Sequence, residues 1–369
     1  MMSPRLRLVL VHWAFPPTTG GVESHLADLA RLLAARVHQV TVLTGEHDPV
    51  QHSAFEVVSI PTLRLDRSPR DDGEALGEAL RVLRPHVVHG HNLHHFHSSP
   101  ARALEQLRDE LGFKLVHTFH ETWPDVLHED ALYRGWERNW AVSAHVQEEC
   151  ERRIGFRPEL LRLPVDTELF SSTRKPLSNG QRPLIFHPAR LLPWKGVHVS
   201  VAMLAELRRQ GHDASLLLTD TQRIADWDGE LNSYRRRVLD EIHERRLEDH
   251  VRFAHAAYSD MPRLYEEADV VVYPTVGEEP YGLVPLEAMS CARPIVATSS
   301  GGIRETVVEG VTGFLVDRED PIGLANRVAA ILGDPTLAIR LGEHGRQRVI
   351  ADFGTDRFLD TLLTAYQAG

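Results

Sequence analysis

Two rhythms of apolar residues alternate along this chain. Short runs rich in Val, Ile and Leu are separated by longer stretches whose apolar positions recur every three or four residues. This is the pattern of β-strands joined by crossover helices into parallel sheets. In the first half the runs fall at 7–13, 39–44, 56–60, 87–90, 114–118 and 139–142, with helical spacing over 22–35, 73–83 and 102–111. The second half repeats the alternation, with strands expected at 184–187, 214–219, 251–254, 270–273, 295–297 and 313–316. Near the end, Phe358, Leu359, Leu362, Leu363 and Tyr366 lie at helical spacing, so 353–366 is expected to be a helix packed by its apolar face.

A chain of 369 residues is too long for one ordinary core. The break is expected in 164–183, where Ser171, Ser172, Thr173, Lys175, Pro176, Ser178, Asn179 and Gly180 make a linker-like composition. The expected fold class is therefore α/β, with two Rossmann-like domains facing across a cleft. The expected division is residues 1–166, residues 167–350, and a last segment, 351–369, packing back toward the first domain.

Composition narrows the classes. A hydrophobic share of 42% with 25% charged residues is ordinary for a soluble protein, and no apolar run reaches the roughly 20 residues that span a bilayer. The apolar start after Arg5 and Arg7 runs into Pro16, Pro17, Gly20 and Gly21 without a small-residue cleavage site, so it reads as a first strand rather than a signal peptide. A cytoplasmic location is expected. A formal net charge of −11 argues against a general nucleic-acid or acidic-membrane binder. The two cysteines, Cys150 and Cys291, have no metal-ligand spacing and are expected to be buried thiols. Lysine is scarce: only Lys114, Lys175 and Lys195 occur among 41 basic residues, which makes Lys195 stand out.

Two loops carry the strongest chemistry. In GEEPYGLVPLEAM, 277–289, a strand passes through a Gly- and Pro-bearing loop into a helix that begins near Gly282. The glycine leaves backbone N–H groups uncovered at a helix start that favours an anion. Glu279 and Glu287, eight positions apart, can face one pocket; the alternative is a solvated loop charge and a complement to the helix dipole. In ARLLPWKG, 189–196, Arg190 and Lys195 follow a strand and precede a helix. Two cations there suit a diphosphate, Arg by bidentate bonding and Lys as a compact charge. In the first half, Thr18, Thr19, Gly20 and Gly21 make a turn that lacks the GxGxxG spacing of a dinucleotide fingerprint.

Histidine is abundant, 22 in all, and crowds at His86, His89, His91, His94, His95 and His97, then His117, His120 and His128. No partner Cys or helical HxxxH pair completes a ligand set, and no metal site is expected. A histidine ending a strand, such as His120, can bond a sugar hydroxyl or take part in proton transfer. Most of the others are expected to be structural.

Taken in order, these pieces resemble family 4 of the retaining glycosyltransferases, which have the GT-B fold. The resemblance rests on Gly20–Gly21, the strand at 87–91 followed by Asn92, the HTFH segment ending at His120, and the Val142–Ser143 turn. It continues with Arg190 and Lys195, Glu279 and Glu287, GGIRE at 301–305, and EGVTGFLV at 309–316. It implies an acceptor-binding first domain and a nucleotide-sugar-binding second domain. Arg190 and Lys195 would hold the diphosphate and stabilise its developing charge. Glu287 would bond the ribose, Glu279 the donor sugar, and Tyr281, Gly282 and Leu283 would assist through their backbone. His120 would contact the sugar near the reacting centre, and Gly21 the phosphates or the acceptor. His91, Asn92 and Trp123 are the acceptor-side candidates.

The implied reaction is transfer from a nucleotide diphosphate sugar, without cofactor or metal, to a soluble polar acceptor, as in natural-product, small-thiol or cyclitol biosynthesis. A phosphatidylinositol-type mannosyltransferase at the membrane, a nucleotide-sugar epimerase and a non-catalytic sugar binder are the rivals. The chain departs from the family at Leu163–Pro164–Val165–Asp166, which lacks the usual Asn-Gly before Val-Asp. The long polar segment 219–246, with Trp227 and Tyr234, is expected to serve as a lid or as a contact in a homodimer.

Overall fold

The computed structural model of the protein describes residues 5–18, 20–45, 53–63, 73–95, 98–122, 130–171, 182–220 and 231–368. The chain divides into two compact domains. The first comprises residues 1–163 together with 356–369, and the second residues 164–355.

The first domain is built on seven parallel strands: β1 (Arg7–Val11), β2 (Gln39–Thr44), β3 (Glu56–Ser59), β4 (Val87–His91), β5 (Lys114–Phe119), β6 (Arg138–Ala141) and β7 (Glu159–Leu160). Their spatial order is β3-β2-β1-β4-β5-β6-β7. The second domain has six: β8 (Leu184–His187), β9 (Ser215–Thr219), β10 (Val251–Ala254), β11 (Val270–Tyr273), β12 (Ile295–Thr298) and β13 (Phe314–Val316), in the order β10-β9-β8-β11-β12-β13. Central strands β4, β8, β11 and β12 are buried along their whole length. Helices on both faces of a parallel sheet require this, and it is why β8, β11 and β12 read as near-continuous apolar runs, while β4 carries His89 and His91 among its buried positions.

Each sheet reverses direction once, between β1 and β4 in the first domain and between β8 and β11 in the second. At such a point the connections leave toward opposite faces and open a crevice at the carboxyl ends of the strands, where ligands of doubly wound sheets bind. Two of the loops singled out from the sequence, after β8 and after β11, leave the two strands that flank the reversal in the second domain.

The last helix, Thr355–Gln367, belongs to the first domain from Asp356 onward and buries Phe358, Leu359, Leu362 and Tyr366. Leu363 is only half-buried. The Tyr366 hydroxyl is 2.6 Å from His89 Nδ1, and Lys114 Nζ donates to the carbonyls of Tyr366 and Ala368 at 3.0 and 2.8 Å. Asp166, in the segment that departs from the family pattern, accepts from the backbone N–H groups of Glu168 and Leu169 and so caps a turn. Both cysteines are buried free thiols, and burial pushes each up to about 12. Half of the linker stretch and Trp227 lie outside the described residues; Tyr234 is buried on the helix Leu231–Glu244, its hydroxyl 2.8 Å from His198 Nδ1.

Candidate functional site

The loop after β8 makes a short 3-10 turn, Pro193–Lys195, and enters the helix Val197–Arg209 through Gly196. Gly196 sits at φ 73°, and a Cβ there would lie 1.9 Å from the Pro274 carbonyl oxygen. The glycine thus lets this loop lie directly on the loop that follows β11. Three bonds to the Trp194 carbonyl, from Val276 N at 2.8 Å, Thr275 Oγ1 at 2.9 Å and Gly277 N at 3.3 Å, lock them together. Gly196→Ala is expected to destabilise the second domain by at least about 1–2 kcal/mol, the cost of the left-handed conformation before the clash with backbone is counted. A thermal melt of the variant checks it.

This contact carries Lys195 to the end of β11. Its side chain is 9% exposed, and Nζ donates to Glu279 Oε2 at 2.8 Å and to the Tyr273 hydroxyl. The Tyr273 hydroxyl in turn donates to Glu279 Oε2 at 2.9 Å. The ammonium also lies 3.8 Å from the centroid of the Trp194 ring. Burial, reinforced by the neighbouring Glu279 carboxylate, pushes the Tyr273 hydroxyl well above its ordinary value. It therefore remains an O–H donor. A desolvated ion pair is stable only when further hydrogen bonds satisfy it, and Tyr273 supplies them. Arg190, half-buried on the same loop as Lys195, acts electrostatically on Tyr273, as does Glu287.

The Glu279 loop is held from its other side by the GGIRE segment. Ser300 Oγ accepts from Glu279 N at 3.0 Å, Gly302 N donates to the Glu279 carbonyl at 2.8 Å, and Gly301 N donates to Glu278 Oε2 at 2.7 Å. A Cβ at Gly301 would stand 2.0 Å from the Glu279 carbonyl oxygen, and one at Gly302 would stand 2.6 Å from that of Pro280. The paired glycines let backbone pack on backbone and fix where Glu279 points. Beyond the buried Tyr281, Gly282 at φ 95° turns the chain into the helix Leu283–Ser290, whose start has no side-chain cap. Glu287 is buried on that helix and accepts a 2.6 Å bond from the Tyr265 hydroxyl.

In the first domain the structure gathers imidazoles. His91 Nδ1 lies 2.9 Å from His120 Nε2, and the His25 ring is 5.6 Å from that of His120 and 6.2 Å from that of His91. Asn92, at φ 51°, accepts from His120 N at 2.7 Å through Oδ1, and its carbonyl accepts from Trp13 Nε1 at 2.7 Å. His91 and Asn92 are each 1% exposed, so their side chains support the loop that carries His120. Burial lowers His25 to about 4 and His89 to about 3, and holds His91 and His120 well below the ordinary range, leaving these rings neutral at pH 7. Among the described residues no group of three or more His, Cys, Asp or Glu side chains is arranged to hold a metal ion.

Gly21 opens the helix Gly21–Ala35. A Cβ at its neighbour Gly20 would stand 2.0 Å from Glu23 Oε2, so the carboxylate of Glu23 already lies over that helix start, with Oε1 3.8 Å from His12 Nε2. Thr19, His97, Trp123 and His128 lie outside the described residues.

The second domain thus joins Lys195 and Glu279 directly and sets Arg190, Tyr281, Gly282, Leu283 and Glu287 on the same two loops and the helix that follows. Residues that the sequence pattern did not single out for side-chain chemistry complete the arrangement: Tyr273, Trp194, Tyr265, Glu278 and Ser300. Residues 19–169 match the profile of Glycosyltransferase Family 4, and residues 171–348 that of Glycosyl transferases group 1. The chain is a family 4 glycosyltransferase.

Over most of its length the transferase is similar to two Mycobacterium tuberculosis proteins. One is a glycogen synthase, 29% identical over 94% of this chain and 91% of the relative. The other is a GDP-mannose-dependent α-(1-6)-phosphatidylinositol monomannoside mannosyltransferase, 27% identical over 95% of each. Among solved structures, sucrose-phosphate synthase from Thermosynechococcus elongatus matches with TM-score 0.78 and 23% identity over 98% of each chain. Anabaena HepE in complex with UDP and glucose matches with TM-score 0.79 and 19% identity, covering 99% of this chain and 100% of that one. The fold of the transferase is GT-B, with two parallel-sheet α/β domains.

Proposed function

We infer that this transferase moves a sugar from a nucleoside diphosphate sugar to a soluble, polar small-molecule acceptor in the cytoplasm, with retention at the anomeric carbon and without a metal ion. The observation that carries this reading is the Lys195–Tyr273–Glu279 cluster at the reversal point of the second sheet, on a loop that runs directly into an uncapped helix start. In support, the HepE neighbour was solved with UDP and glucose, and the mannosyltransferase relative is named for GDP-mannose.

In the proposed reaction the bond between the anomeric carbon and the diphosphate oxygen breaks. The acceptor oxygen bonds that carbon on the same face, and the acceptor proton passes to the departing phosphate. Lys195, Arg190 and the N–H groups around Tyr281–Leu283 stabilise the negative charge that grows on the leaving group. Glu279 orients the sugar, Glu287 the ribose, and His120, neutral at working pH, bonds a substrate hydroxyl. A second reading has an observation of its own: the likeness to the phosphatidylinositol monomannoside mannosyltransferase favours a lipid-borne acceptor. Among the described residues no single helix is long and apolar enough to cross a membrane.

Nucleoside diphosphate release is the assay, run with UDP-, GDP-, ADP- and dTDP-sugars against polar acceptors and against phosphatidylinositol vesicles, with EDTA present. The expected result is turnover with one base and a water-soluble product. Its anomeric proton coupling matches the donor's, and the rate is the same with or without chelator. An inverted product, a rate abolished by EDTA, or a product found only in the lipid extract each contradicts the corresponding part of the proposal.

A further inference from the structure

We propose that Tyr273 is a positioning residue for the donor diphosphate, its hydroxyl holding Lys195 and Glu279 together in a form from which the lysine can be passed to phosphate. The inference rests on the donor-site reading above and adds to it a residue hidden inside a buried strand.

The geometry is a closed triangle. Lys195 Nζ donates to Glu279 Oε2 at 2.8 Å and to the Tyr273 oxygen, while the Tyr273 O–H donates to the same Oε2 at 2.9 Å. The hydroxyl therefore sits between cation and anion with both of its roles used. Toward the carboxylate it is a donor and takes up part of the negative charge that would otherwise hold the ammonium. Toward the ammonium it is an acceptor that holds Nζ at the end of β11. All three groups are nearly dry, with Tyr273 2% exposed. In so desolvated a place, a bare Lys–Glu pair would be tighter and harder for an incoming phosphate to open.

The surroundings reinforce this role. The Trp194 ring covers the ammonium on one side, and the neighbouring His187, lowered to about 3 by burial, carries no charge with which to compete. The hydroxyl is thus the neutral group that bridges the two charges. Removing it leaves the lysine with the carboxylate as its charged partner, and a diphosphate must then displace the full attraction.

The test is calorimetric titration of paired nucleotides, UMP with UDP, GMP with GDP and AMP with ADP, into wild type, Tyr273→Phe, Glu279→Gln and the double variant. Phenylalanine keeps the ring and removes only the oxygen. The ratio of diphosphate to monophosphate affinity isolates contacts to the second phosphate, which a general loosening of the domain would not change selectively. In Tyr273→Phe the ratio is expected to fall about tenfold, with monophosphate affinity unchanged and a loss of stability no larger than that of an unmet buried hydrogen bond. In the Glu279→Gln background, where no carboxylate retains the lysine, the same change is expected to cost less than about twofold. An unchanged ratio in Tyr273→Phe overturns the proposal. So does a parallel loss of monophosphate affinity and melting temperature, which marks a packing residue. Wild-type protein that binds no nucleotide, or binds both members of every pair equally, overturns the donor site itself.

Discussion

Lys195→Gln is expected to lower the rate of donor consumption by about 10²–10³-fold while the protein remains folded. The substitution keeps a hydrogen-bonding group of similar reach beside Glu279 and Tyr273 and removes the positive charge. Losing one preorganised group that stabilises developing charge costs about 2.7–4 kcal/mol in comparable sites, which is the fold-change stated. Alanine at the same position does more than disable chemistry. Glu279, 11% exposed at its side chain, loses its cation in both variants, but glutamine still offers it an N–H donor, whereas alanine leaves the buried carboxylate with neither cation nor replacement donor, and breaking such a pair costs about 3–5 kcal/mol of stability. Nucleoside diphosphate release and urea denaturation, measured on both variants, separate the two effects. Near-normal turnover in Lys195→Gln contradicts the role assigned to this residue.

Acid is expected to undo the first domain before the second. His25, His89 and His94 are fully buried and lowered to about 4, 3 and 3, and His91, His95, His117 and His120 are also held well below 6.5; burial is the leading cause in each. In the unfolded chain each titrates near 6.5, so below that pH the unfolded state binds protons that the native state refuses. The stability these neutral rings allow is therefore complete above about pH 6.5 and drains away as the pH falls toward the native values. At pH 5.5, the three rings with values of 3–4 together cost roughly 4 kcal/mol, at about 1.4 kcal/mol per ring per pH unit. Among the described residues of the second domain, His187 is the one fully buried histidine lowered to about 3. Hydrogen-exchange mass spectrometry at pH 7.5 and 5.5, corrected for intrinsic exchange, is expected to show protection lost first from β1, β4 and β5. Equal loss in both domains contradicts the assignment of the acid-sensitive groups.

Much of this was legible in the sequence, for a definite reason. A strand buried on both faces writes a nearly unbroken apolar run, so Leu184–His187 and Val270–Tyr273 stand out by composition. Edge strand β7, two residues long, writes no pattern at all. The loops after β8 and β11 announced themselves because charge and glycine punctuate an apolar background. Their partners did not. Tyr273 is the last letter of an apolar run, and only the fold brings its oxygen to Lys195, 78 positions away. GGIRE was noticed by resemblance, yet its reason is steric and appears only when Gly301 and Gly302 are seen against the backbone of Glu279 and Pro280. The histidines are less legible. Their abundance invites an acceptor-side reading for His91 and Asn92, and only the fold shows that both are nearly fully buried and bonded to His120.

The most direct test of the donor site is a thermal-shift titration of the purified protein with UDP, GDP, ADP and dTDP in the presence of EDTA, repeated on Arg190→Ala and Lys195→Gln. The account predicts that one nucleotide raises the melting temperature of the wild type, with the shift abolished or strongly reduced in both variants. No shift with any nucleotide at millimolar concentration, or a shift that both variants retain in full, would contradict it.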